Sequence, residues 1–143
     1  MAFSKSTLAV AALRLVGLLP LSAARRLGAL MGACAYRVNG RGTQVTRENL
    51  ALCLPHLTAA ERERMVHASL KETGKVATEV CVIWRNNHVP VKHYIRQIQG
   101  EELARRPLAE GKGLLILAPH LGNWEVLGLH LASLGKVTNL YQP

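Results

Sequence analysis

A chain of 143 residues has room for one domain of common size, or for an anchor plus a small domain, and excludes two full domains. Its 18 Lys and Arg against 9 acidic residues, every one a Glu, give a formal net charge of +9 and a pI near 10.1, so the surface attracts anions such as phosphorylated lipid, nucleic acid or an acidic protein. Aromatics are only 4% of residues and do not interleave with the basic ones as base stacking needs, which makes nucleic acid the weaker choice.

Leu8 to Leu21, LAVAALRLVGLLPL, is apolar but interrupted by Arg14 and closed by Pro20. A transmembrane span wants about 20 apolar residues, so the run is too short and too charged for one. A secretory signal is the second reading, since Lys5 precedes the run and Ser22-Ala23-Ala24 mimics a cleavage site, but Arg14 argues against it. Further on, Leu27, Leu30, Met31 and Tyr36 stand among small residues, with Arg25, Arg26, Arg37 and Arg41 supplying charge. Residues 1–42 thus read as an amphipathic or re-entrant helical hairpin at a membrane interface, and core helices of a soluble bundle are the plainer alternative.

Gly40-Arg41-Gly42 breaks the pattern and opens a helical segment over 43–88. There Thr58 and Glu61 have the spacing of a capping box, in which hydroxyl and carboxylate each satisfy a free N–H at a helix start. Val66, Leu70, Thr73, Ala77, Val80 and Trp84 recur at spacings of three and four, which predicts a packing helix with those residues on its buried face. His56, His67, His88 and His93 lack the partners of a metal site and read as ordinary surface or core residues. The three cysteines, Cys34, Cys53 and Cys81, fit neither a zinc pattern nor an even disulfide framework, and read as reduced thiols.

The texture changes at Val89. VPVKHYIRQIQG has the β-branched residues and alternation of a strand ending at Gly100, and GEELARRPLAEGKG reads as a short helix interrupted or ended near Pro107. Gly111-Lys112-Gly113 lacks a full phosphate-binding motif and reads as a turn. LLILA, Leu114 to Ala118, is the continuous apolar run of a strand buried on both faces, NWEVLGLHLASLG a helix, and VTNLYQP a third strand under way. Strand, helix, strand, helix, strand predicts an α/β fold: an incomplete open parallel sheet with crossover helices over residues 89–143, reached through the N-terminal helices.

Ligands of such sheets bind beyond the carboxyl ends of the strands, and His120 stands two residues past one. Glu125 falls in the first turn of the next helix, where a tight loop can bring its carboxylate back to the imidazole. That contact fixes the tautomer and raises the basicity of the other ring nitrogen, which can then take a proton from a hydroxyl. Backbone N–H groups at the same helix start suit a phosphate or a developing oxyanion. The plainer alternative has Glu125 favouring the helix dipole and His120 closing a strand, while His130, more than a turn on, reads as packing.

The stretch APHLGNWE resembles the PHxGNWE block of the bacterial lipid A biosynthesis acyltransferases, the late lauroyl/myristoyl family. RENLALCLPHLTAAERERM is similar to a second stretch of that family through Arg47, Asn49, Leu50, Cys53, Pro55 and Glu61, with Leu54 where Phe is usual. The Arg-punctuated apolar N-terminus and the YQP ending also fit. The resemblance implies an enzyme on the cytoplasmic side of the inner membrane that moves a fatty acyl group from acyl carrier protein to a hydroxyl of an anionic glycolipid, a lipid A precursor. It implies His120 as general base, Glu125 as its orienting partner, and Asn123 and Trp124 as substrate-shaping residues, with no metal or other cofactor. Because the family's catalytic domain carries further strands and basic contacts, it also implies that the chain is an N-terminal portion, with activity in question. A rival reading without catalysis is a basic membrane-associated protein that binds anionic lipid or acidic carrier protein.

Overall fold

The structure, a computed structural model, describes residues 5–140. They fall into two compact units that divide in sequence between Asn86 and Asn87.

The first unit is helical throughout. α1 spans Lys5–Val16 and α2 Leu21–Val38, with Pro20, whose fixed φ suits a helix entry, at the N-cap of α2. Asn39 ends α2 in the left-handed region at φ 53, ψ 39, and its N–H donates to the carbonyls of Ala35 and Tyr36. α3 follows at Arg41–Cys53 and α4 at Ala59–Arg85. The expected capping box is present: the Thr58 hydroxyl accepts from the Glu61 N–H, and the Glu61 carboxylate accepts from the Thr58 N–H at 2.8 Å. At 27 residues α4 is about 40 Å long and serves as the spine against which the other three helices pack.

The buried face of α4 is rotated from the expected one. Val66 is buried as anticipated, but Trp84 is 58% exposed and Thr73 and Ala77 face solvent, while Thr78, Glu79, Val82 and Ile83 are inside. The reason lies in glycine. Cβ atoms built on Gly28 and Gly32 of α2 would collide with the carbonyls of Gly74 and Leu70, so α2 and α4 meet backbone to backbone, closer than large side chains permit. Thr78 turns the contact to use by donating to the Ala24 carbonyl at 2.8 Å, and buried Glu79 pairs with Arg25.

Across α2, α3 and α4 runs a polar cluster. Arg47 donates through Nε and Nη2 to the two oxygens of Glu63, at 2.9 and 2.6 Å, and through Nη1 to Asn39 at 3.1 Å. The Arg47 guanidinium first and the Tyr36 hydroxyl second hold the Glu63 carboxyl down to about 2, and the hydrogen bond to Glu63 pushes the Tyr36 phenol up. His67 packs its ring on Tyr36, centroids 4.7 Å apart.

The second unit corrects the expected architecture: among the described residues there is no strand and no parallel sheet. Where a strand was expected from Val89 to Gly100, Pro90 initiates a 3₁₀ turn over Val91–His93, closed by His93 N–H to Pro90 O at 3.0 Å and Tyr94 N–H to Val91 O at 2.9 Å. A proline with its φ set for a turn, and local bonds that satisfy these amides, outweigh β-branched alternation. α5 covers Glu101–Ala109, carrying Pro107 in its last turn and ending two residues beyond it, close to where the sequence placed its end, and α6 covers Trp124–Leu134 as anticipated. The runs 113–118 and 136–140 are neither helix nor strand, and although both line a cavity of about 490 Å³ they form no ladder. A strand exists only through hydrogen bonds to a neighbour, and without one Leu115 and Leu117 stand 90% and 91% exposed instead of buried on both faces. The beginning of the N-terminal segment and the end of the expected third strand, at Tyr141, lie outside the described residues.

Candidate active site

The loop from Pro119 to Asn123 is shaped by three local features. The Leu121 N–H turns back to the Pro119 carbonyl at 2.8 Å, Gly122 takes φ +62, a region a side chain disfavours, and Asn123 stands at the N-cap of α6. The Val126 N–H then bonds the Asn123 carbonyl at 3.2 Å and closes the first turn. The Asn123 side chain makes no capping bond to this helix start, and His120, Asn123, Trp124 and Glu125 stand in sequence around a helix N-terminus whose dipole favours negative charge.

His120 is exposed on the loop and meets the Trp124 indole edge to face, ring centroids 4.7 Å apart at 62°. The contact brings together two of the four residues singled out in the sequence and limits the directions the imidazole can take. Asn123 and Glu125 are half-buried beside them, Glu125 in the first turn of α6. An exposed imidazole, a carboxylate one turn of chain away and a helix start suited to an anion form a set able to move a proton and receive developing negative charge.

His130, expected to be packing, lies in the middle of α6 with its side chain 13% exposed and its Nε2 3.4 Å from an oxygen of Glu101 on α5. Gly111-Lys112-Gly113 is a turn, as expected, with Gly111 at φ +70 and the Lys112 N–H on the Pro107 carbonyl at 2.9 Å.

The sequence profile of the bacterial lipid A biosynthesis acyltransferases matches residues 3–143. The chain belongs to that family. It is 28% identical over 117 residues to the lipid A biosynthesis palmitoleoyltransferase of Escherichia coli strain K12, covering 82% of this chain and 36% of that protein. With the lipid A biosynthesis lauroyltransferase of the same strain it shares 30% over 115 residues, 79% of this chain and 37% of the relative. A phosphatidylinositol mannoside acyltransferase of Mycobacterium tuberculosis strain CDC 1551 / Oshkosh is 32% identical over 97 residues, 67% of this chain and 31% of its own length. This family member thus spans about a third of the length of the curated relatives it matches. No solved structure matches it.

Proposed function

We propose that the chain serves acyl transfer in the biosynthesis of a lipid A-type glycolipid, with His120 as general base and Glu125 as its orienting partner. His120 takes the proton of an acceptor hydroxyl as its oxygen attacks the thioester carbonyl of an acyl-acyl carrier protein. The C–S bond then breaks, and the imidazolium returns the proton to the departing thiolate. Asn123 and Trp124 shape the acceptor side, and the start of α6 receives the charge that develops on the carbonyl oxygen. The observation that carries this reading is the exposed His120 on the loop and Glu125 in the first turn of α6 just after it, in a chain whose whole matched length belongs to an acyltransferase family.

The acceptor is anionic and amphiphilic, and the proposed setting is the cytoplasmic side of the inner membrane. Support comes from a groove of about 580 Å³ along α1, lined by Val10, Leu15 and Leu18 together with Arg14 and Arg85, and from exposed Leu13, Leu30 and Met31. Apolar side chains edged by arginine suit an anionic lipid surface. Among the described residues no helix is long and apolar enough to cross a membrane.

The test is a transfer assay with acyl-acyl carrier protein and a lipid A precursor presented in vesicles containing anionic lipid, using the native gene product. Labelled acyl chain is expected on the precursor, with a rate that falls steeply between low and high salt as charge attraction is screened. Vesicle binding without any acylated product would instead leave a lipid-binding protein without catalysis.

A further inference from the structure

A second cavity lies in the same unit, where the 3₁₀ turn and the segment after it, α5 and α6 contribute its walls. It has a volume of about 700 Å³, within the range of sites that hold small ligands. Three cationic side chains line it: Lys92 and Arg96 from the turn and the segment after it, and Arg105 from α5. Its one carboxylate is Glu101, so the lining charge from Lys, Arg and Glu is three positive less one negative, a formal net +2.

Glu101 is already engaged on two sides. Arg105 Nη2 donates to its Oε1 at 2.9 Å, and His130 Nε2 lies 3.4 Å from the same oxygen. That chain of contacts holds Arg105 and His130 at the wall, while Lys92 and Arg96 add charge that Glu101 does not offset. Between them the surface is apolar, through Ile95 and Ile98. A carboxylate ligand would leave half of the +2 uncompensated, whereas a dianionic phosphate monoester matches it, and Arg and Lys together provide its usual donors. The isoleucines have no use for free phosphate but suit the chain or ring to which the phosphate is attached.

We infer that this cavity binds the phosphate monoester end of an amphiphile, a site separate from the His120 loop. Assigning that ligand to the acyl acceptor rests on the function proposed above; binding itself does not.

The experiment is calorimetric titration of the chain in neutral detergent with three probes: short-chain phosphatidic acid, inorganic phosphate, and the diacylglycerol of equal chain length. Phosphatidic acid is expected to bind more tightly than either of the others, and the double variant Lys92→Gln/Arg96→Gln to weaken it by roughly tenfold or more, since two charge-assisted contacts are lost. The control Arg64→Gln/Lys71→Gln removes equal charge from α4 and is expected to leave the affinity within about twofold, as surface charge acts only weakly at a distance. Equal weakening by both double variants, no weakening by the first, or phosphatidic acid binding no better than inorganic phosphate would each overturn the site. Circular dichroism verifies that both variants keep their helix content, and His130→Gln, which retains a hydrogen-bonding side chain, is a second variant expected to weaken binding less than the double one. Failure of acyl transfer with phosphatidic acid binding intact would sink the proposed function and leave this site standing.

Discussion

At the residue scale, what sequence could reveal depended on how far apart the partners stand along the chain. Thr58 and Glu61 are three positions apart, and their reciprocal bonds follow from spacing alone. His130 and Glu101 are on different helices, and nothing in either local pattern announces their meeting. The same holds for Glu63, whose partners Arg47 and Tyr36 come from two other helices. This carboxyl's value in the folded chain, about 2, is below its ordinary 4.5, so its contribution to stability is fully present above 4.5 and is lost as pH falls toward about 2. In thermal unfolding scans, wild type is therefore expected to exceed Glu63→Gln in stability at pH 6, with the gap closing between pH values of about 4.5 and 2. A gap that stayed constant through that window would show that the ionised carboxylate is not what joins these helices.

At the scale of elements, helices were legible and strands were not. α4 and α6 carry their start signals and periodicity in their own residues, so each could be placed from sequence. The face of α4 could not, because a search for large apolar residues passes over Gly74, where the closest approach occurs. Gly74→Ala is expected to lower stability by about 1 to 3 kcal/mol in urea unfolding, since its Cβ would meet the Gly28 carbonyl and neither backbone can retreat without separating the helices. An unchanged midpoint would mean that α2 and α4 are not held in this contact. The apolar run Leu114 to Ala118 has the composition of a buried strand, but composition cannot supply the neighbouring chain that a ladder requires. It is neither helix nor strand, its leucines are exposed, and the sheet expected from it is not formed.

At the scale of the whole molecule, family membership was readable because it rests on residues spread over the chain, from Arg47 and Asn49 to APHLGNWE, and the profile match over residues 3–143 spans them all. The candidate site is local, since His120 to Glu125 is one continuous stretch that a turn and a helix start bring together, which is why sequence could propose it. What it contacts beyond that loop depends on tertiary placement, as the Trp124 ring against His120 illustrates. The +9 balance pointed to anionic partners without saying where they bind, and the groove on α1 and the cavity against α6 are the two places proposed for them above.

The central claim is that His120 removes the acceptor's proton. Its most direct measurement is the transfer rate of His120→Ala beside wild type, with acyl-acyl carrier protein as donor and the unfolding midpoints of both proteins verified to agree. Loss of a general base predicts a fall in kcat of about 10² to 10⁴-fold. A variant that transfers acyl groups at a near wild-type rate would contradict the account.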